Sequence, residues 1–553
     1  MPTMTGGEAL ARQLLREGIT DLFAVPGVQL DWAFDAFAAL GDELKVWVPR
    51  HEQATTYMAD GYARAGVRAG ASLVVPGPGA LNALAGLSTA YACSSRLLFL
   101  AGQVASERMG RGHGVLHELP DQSGILQRLA KWYGLASSPA QIPELVREAV
   151  HQLGSGRPRP AALELPQDVL QRTQDVDLRE PTGPALLAPD QAQVSRAATL
   201  LASARFPVVV AGGGVLAAGA SRALARLAET LQAPVLMTEN GTGALPSLHP
   251  LALPWLGSRS ILRHADVVIA VGTRFMESGV KPPALRPNAT LILVNAEAAD
   301  LDAPRQSMLT LHADARLALD AIADELGGSK AADRSGAVRS VRSWCDALLA
   351  DYIAPQRTWI DALRAAIPDD GFLVPDLTQV GYPAHLAYPV REPGTFIGAG
   401  YQGTLGFAYP TALGVAAAQP TRAVVSVSGD GGFGWALQEL ATARRYKLPV
   451  TAVVFVDGWF GNVRLLQQRQ FGRTFAAELV NPDFVRLAES FGVNATRVAT
   501  PAALRGALAE SVAGSAPGLI EVTVGEFPSP WHLVRSTVPS PRPAPADPLG
   551  ESA

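Results

Sequence analysis

Short apolar runs recur along the chain and alternate with stretches whose apolar positions fall every three or four residues. Asp21-Leu-Phe-Ala-Val, Ala71-Ser-Leu-Val-Val, Pro207-Val-Val-Val-Ala, Val267-Val-Ile-Ala-Val, Thr290-Leu-Ile-Leu-Val, Ala423-Val-Val-Ser-Val and Thr451-Ala-Val-Val-Phe-Val are of the first kind and predict strands. The helical spacing predicts an amphipathic helix near the N-terminus and further helices over 191–204 and 435–446. Strands alternating with helices predict α/β architecture. The pattern falls into three blocks, residues 1–175, 191–330 and 355–530, each expected to form a doubly wound parallel sheet. A Pro-rich join spans 175–190 and a polar one 327–340, while the Pro/Ser/Ala-rich end, 531–553, is expected to be a flexible or extended tail.

Composition narrows the classes. At 553 residues there is ample core for three domains, and 53 glycines with 42 prolines fit a loop-rich enzyme. A net charge of −4 offers no basic footprint for nucleic acid. Cys93 and Cys345 stand in different segments with no metal-ligand spacing, so a reduced, cytoplasmic setting is expected. The N-terminal segment has no apolar signal core, and no run reaches the length of a membrane span.

Residues 429–462 carry the first chemistry. Asp430 lies in a Gly-Asp-Gly turn and Asp457 follows 27 positions later, each where a predicted strand ends. Open α/β sheets bind ligands at such strand ends. Glycines there let backbone N–H groups approach a phosphate, and the carboxylates are hard oxygen ligands for a bridging Mg²⁺. The same residues spell G-x-G-x-x-G from Gly429 to Gly434, so a dinucleotide site with Asp457 on the ribose, or a plain structural turn, stays open from this segment alone. An acid inside the loop favours the metal diphosphate, since it would repel a pyrophosphate unless a cation intervened.

Four separated motifs resemble one family. They are Arg50-His51-Glu52-Gln53 with Ala59-Asp60-Gly61-Tyr62-Ala63-Arg64, Gly77-Pro78-Gly79 with Asn82, Gly403-Thr-Leu-Gly-Phe-Ala-Tyr-Pro410, and the Gly429–Asn462 stretch. Together, in this order over most of the chain, they resemble thiamine diphosphate-dependent enzymes, in shape closest to the acetolactate synthase-like branch. The resemblance implies an aminopyrimidine-binding first domain, a central domain, a diphosphate-binding third domain, and thiamine diphosphate with Mg²⁺ as cofactors. It places Glu52 at N1′ of the aminopyrimidine, where it promotes formation of the C2 carbanion, and a raised pKa in a buried apolar pocket is expected for it. Leu405 matches the apolar wedge beneath the cofactor, and the Gly403 carbonyl an acceptor for the 4′-amino group. Gly27, Gly77, Asn82, Gln379, Gly429, Asp430, Gly431, Gly432, Phe460 and Gly461 match other cofactor contacts, and Asp430, Asp457 and the Trp459 carbonyl match the metal ligands. Asp457 departs from the usual Asn, which adds a negative charge beside the diphosphate, and Val456 replaces the Asn before it.

Specificity is less legible. Gln29, after Gly27-Val28, and the stretch from His113 to Asp121 match segments facing the thiazolium and substrate. His117-Glu118 stands where acetolactate synthases carry Phe-Gln, so a titrating pair that shuttles a proton is one reading and a structural loop pair the other. Leu466 takes the place of the family's gating tryptophan, and the central block lacks the Gly-Met-His-Gly that accompanies FAD. Gly212-Gly-Gly214 and Gly272-Thr-Arg274 are read as strand-end turns, and FAD is not expected. The resemblance thus implies a lyase or transferase, a decarboxylase or carboligase of small 2-oxo acids working through a carbanion and an enamine. Hydrolysis of a cyclic 1,2-dione is the alternative within the family, and a cofactor-binding scaffold of weak catalytic power the alternative outside it. A homodimer or homotetramer is implied, with small carbonyl compounds as the other partners.

Overall fold

The structure, a computed structural model, describes residues 2–66, 69–277, 281–302, 307–328, 331–543 and 545–550. Each apolar run named above forms a strand, within a residue or two at its ends. They assemble into three wholly parallel sheets. The first runs Lys45–Trp47, Asp21–Ala24, Gly70–Val74, Leu97–Gln103, Ala161–Pro166, Trp132–Leu135. The central sheet runs Ala252–Pro254, Val235–Met237, Pro207–Ala211, Val267–Val271, Thr290–Asn295, Leu309–His312. The third runs Phe372–Pro375, Val424–Gly429, Val450–Val456, Gly518–Thr523, Asn494–Val498. Central strands such as Gly70–Val74 and Pro207–Ala211 are buried throughout, as expected where helices cover both faces of a parallel sheet. A two-stranded ribbon, Thr3–Thr5 against Thr173–Asp175, ties the two ends of the first block together.

Two helices differ from expectation. The stretch 435–446 is helical only from Leu440 to Tyr446, preceded by a tight turn at Leu437–Glu439 and a short helical turn at Asp430–Phe433. Glu439 is drawn away into the core, where Thr442 and the first domain's backbone satisfy its carboxylate. A helix of 32 residues, Ser335–Ala366, runs from the polar join into the third block. Val338, Val341, Cys345, Leu348 and Leu349 bury one stripe of it, and it kinks at Ile353, just before Pro355.

The first and third domains meet through helices Glu52–Arg64 and Ala408–Ala418, which share one core. The approach is backbone to backbone: a Cβ on Gly414 would stand 1.9 Å from the Met58 carbonyl oxygen, and one on Gly61 2.1 Å from that of Thr411. The C-terminal end is extended over most of its length but pinned. Arg259 donates to the His532 and Leu533 carbonyls, Ser260 and His264 hold Asp547, and His532 and Leu533 are buried. The segment opens with a short helix, Trp531–Val534, and composition gave no sign of that or of these anchors. No helix among the described residues is long and apolar enough to cross a membrane.

Candidate active site

Neighbouring strands Asp21–Ala24 and Gly70–Val74 mark the point where the first sheet's order reverses, so their carboxyl ends flank a crevice. Gly27 follows one and Gly77 the other. A Cβ on Gly27 would lie 2.4 Å from Val75 Cγ1, and one on Gly77, whose φ is +62°, 2.5 Å from the His117 carbonyl oxygen. Gly77 opens helix Pro78–Cys93, which presents Asn82, and Asn82 Nδ2 donates to Glu52 Oε2 at 3.0 Å. Glu52 itself starts a helix whose entry is clamped from the third domain, the N–H groups of Arg50 and His51 donating to Glu439 at 3.0 and 3.1 Å. Within one chain Glu52 is only half-buried and its carboxylate faces Asn82, not the closed apolar pocket expected. Being the first residue of its helix, it sits at an edge of the domain.

The substrate-facing stretch also comes to this crevice. Gln29 is buried and donates to the Leu116 carbonyl at 3.2 Å, while its Oε1 lies buried without a partner. His117 adopts a left-handed backbone, φ +68°, with Nδ1 buried and unpartnered. Glu118 does not pair with it. Its carboxylate accepts from the N–H groups of Gly112, Gly114 and Val115 at 2.7 to 3.2 Å, clasping its own loop. Partial desolvation disfavours its charged form, but these loop N–H groups outweigh that and hold the carboxyl below the ordinary range. Neither the titrating pair nor the structural His–Glu pair of the sequence reading is formed, since Glu118 clasps its own loop.

The third sheet supplies the other half. Asp430 is buried and receives the N–H groups of Gly431 at 2.9 Å and Gly458 at 2.8 Å, and Asn481 Nδ2 at 2.7 Å. Asp457 receives the Trp459 N–H at 2.9 Å, and burial, then the charge of Asp430, push its carboxyl up to about 6. A Cβ on Gly461 would be 3.1 Å from Asp457 Oδ2 and 3.3 Å from Gln379 Nε2, and one on Gly431 would strike the Phe460 ring at 2.8 Å. Phe460 is tethered through its N–H to Ala477, and Gly429 ends the strand that delivers Asp430. Gly403 has φ +60°, and Leu405 beyond it is 41% exposed. Asp376, fully interior, accepts from Ser428 Oγ and the Ala408 N–H at 3.0 and 3.1 Å. It thereby joins the 403–408 segment to the strand before Asp430, and burial pushes its carboxyl up to about 7. A Cβ on Gly432 would lie 3.0 Å from its Oδ2.

These residues fit a metal diphosphate. Two neighbouring carboxylates, one destabilised by the other, offer hard oxygens to a cation, and the Gln379 amide beside them has its Oε1 buried without a partner. No group of three or more His, Cys, Asp or Glu suited to a metal occurs among the described residues. Two carboxylates and a carbonyl leave coordination positions of Mg²⁺ to phosphate and water oxygens, as that ion prefers. Sequence reasoning missed Asn481, Asp376 and Glu439. Asp376 lies three residues before Gln379, whereas Asn481 and Glu439 carried no local signal.

A separate cavity of about 530 Å³ opens at the carboxyl ends of the central sheet, beside Gly213, Gly214, Gly272 and Arg274, and reaches Tyr401 and Gly403. Its glycines touch one another: Gly214 N–H donates to the Gly272 carbonyl at 2.9 Å, and a Cβ on Gly212 would lie 2.3 Å from that oxygen. Backbone packing alone requires glycine at these turns.

Paired half-sites at the ends of two parallel sheets, with a third α/β domain between them in sequence, define a class that the comparisons also find. Residues 4–125, 194–322 and 376–522 match the N-terminal TPP binding domain, central domain and C-terminal TPP binding domain of the thiamine pyrophosphate enzymes, and the chain belongs to that family. Within it the chain is acetolactate synthase-like. It is 32% identical over 537 residues to the acetolactate synthase isozyme 3 large subunit of Escherichia coli, covering 93% of each chain. It is 31% identical to a probable acetolactate synthase large subunit of Methanocaldococcus jannaschii, covering 94% of this chain and 92% of the relative. It is 33% identical to a probable 2-ketoarginine decarboxylase of Pseudomonas aeruginosa, covering 89% of each.

Proposed function

We propose that the protein breaks the bond between the carbonyl and carboxyl carbons of a small 2-oxo acid, and either protonates the remaining fragment or joins it to a second carbonyl compound. The observation that carries this reading is the Glu52–Asn82 pair beside the Gly77 turn, at the mouth of the first sheet. When bound, thiamine diphosphate supplies a nucleophilic carbon and an electron sink for the breaking bond. The chain supplies position and protons. Glu52 offers Oε1 for proton exchange while Asn82 holds Oε2. Asp430, Asp457 and the Trp459 carbonyl would hold Mg²⁺, with Gln379, Gly431, Gly432, Phe460 and Gly461 around the diphosphate and Gly403 and Leu405 at the pyrimidine end. The apolar side chains of Val28, Leu405 and Leu466, all exposed in one chain, favour a substrate with a fairly apolar body. The hydrolytic alternative loses its water-handling pair, because Glu118 is committed to backbone N–H groups.

The test is CO₂ release from pyruvate, 2-oxobutyrate, benzoylformate and phenylpyruvate with Mg²⁺ and cofactor. Turnover of at least one acid is expected, reduced about 10²-fold or more in Glu52→Gln, the usual scale for losing a general acid–base. Cofactor binding with no CO₂ from any of them would remove simple decarboxylation of these acids and turn attention to cyclic diones and other acyloin chemistry.

A further inference from the structure

Gly77 lies between Pro76 and Pro78, which have no N–H, so its own N–H is the one backbone donor of that tripeptide. That N–H is buried and donates to Gln122 Oε1 at 2.8 Å. The other end of the same amide is fully engaged, Gln122 Nε2 donating to Glu164 Oε1 at 2.7 Å and to the Gly102 carbonyl at 3.0 Å. Both of those partners are acceptors, so flipping the amide would set oxygen against oxygen twice and leave the Gly77 donor facing another donor. Glu164 is wholly buried and accepts three further bonds, from Gln103 Nε2 at 3.0 Å, Ser123 Oγ at 2.5 Å and Tyr133 OH at 2.5 Å. Held in this way, Gly77 keeps its left-handed backbone against the His117 carbonyl, and Gln29 grips the neighbouring Leu116 carbonyl. A polar chain therefore runs from the core of the first sheet to Gly77, whose backbone lies close against the loop that carries His117.

We propose that Gln122 and Glu164 are positioning residues: Glu164 fixes the polarity of the Gln122 amide, and Gln122 fixes the Gly77 turn and with it the floor of the loop at His117. That the loop at His117 faces the 2-oxo acid rests on the functional reading above, whereas the clasp itself rests on geometry alone. Gly77 caps the helix that carries Asn82, and that helix also packs along Glu52–Arg64, which supports the Glu52–Asn82 contact from a second side. The clasp governs how well the donor is held rather than how fast the held donor reacts.

Hydrogen–deuterium exchange of the full-length protein reads the clasp without any substrate, since the Pro76-Gly77-Pro78 tripeptide contributes a single amide. Gln122→Leu should speed exchange at Gly77 at least tenfold and, at saturating cofactor, raise the KM of the donor at least fivefold with kcat within twofold. Glu164→Gln, an isostere that keeps the interior filled, should speed Gly77 exchange at least threefold, which covers the case of a Leu variant that fails to fold. Exchange within twofold of wild type in the variants that fold overturns the proposal, as does a fall in kcat with KM unchanged. A wild type that turns over none of the 2-oxo acids counts against the functional reading alone, because Gly77 exchange still decides the clasp.

Discussion

Asp457 is the residue whose chemistry departs most from its family's habit. Its carboxyl is driven upward by burial and by Asp430, so the two acids repel each other in the absence of a counter-charge between them. Mg²⁺ gains from the second charge, but the diphosphate is itself anionic and must share that space. The second repulsion should dominate at saturating metal, and Asp457→Asn is expected to bind thiamine diphosphate about 3- to 10-fold more tightly, on the scale of a partly screened charge pair. Titration calorimetry in excess Mg²⁺ measures this directly, and weaker binding by the Asn variant would reverse the argument. Glu52, Asp430 and Asp457 were legible in the sequence because each sits in a short motif at a strand end or helix start. Asn481, Asp376, Glu439 and Gln122 were not, because each acts on a group tens or hundreds of residues away. The Asn481–Asp430 and Glu439–His51 bonds exist only once the chain has folded.

At the scale of elements, strands were the most legible feature. A run such as Val267-Val-Ile-Ala-Val has one plausible fate in a covered parallel sheet, and it is buried over its whole length. Helices were harder wherever a tertiary contact overrode local spacing. The 435–446 stretch breaks because Glu439 is needed at the start of another domain's helix, and Ser335–Ala366 begins inside a join whose charged residues masked its apolar stripe. The crossing of Glu52–Arg64 with Ala408–Ala418 is a demanding contact between elements, since Gly414 lies under the Met58 carbonyl with no room for a methyl group. Gly414→Ala improves intrinsic helix propensity by up to about 1 kcal/mol. Overpacking against backbone should still win, for a net loss of about 2 kcal/mol. Scanning calorimetry should show a thermal midpoint several degrees lower, and an unchanged midpoint would mean that the helices separate easily.

The whole molecule presents two half-sites with apolar rims. Val28 and Leu81 at the first domain's edge and Leu405 and Trp435 at the third's are all more than 40% exposed, and Trp435 reaches 56%. No hydrogen bond, ion pair or ring contact among the described residues joins Glu52 to Asp430, Asp457 or Leu405. The homodimer or homotetramer that the family resemblance implies would cover these rims, the third domain of one copy completing the site of another. Sedimentation should give at least twice the mass of one chain, and Trp435→Glu should shift it toward the monomer with loss of turnover. A monomer with full turnover would refute the arrangement. The pairing of Glu52–Arg64 with Ala408–Ala418 also sets a clock. The first domain leaves the ribosome with Tyr57 and Met58 uncovered, and the helix that buries them begins about 350 residues later. At synthesis rates of about 5–20 residues per second that apolar face waits roughly 20–70 s for its cover, an interval in which the nascent chain depends on whatever else can shield it.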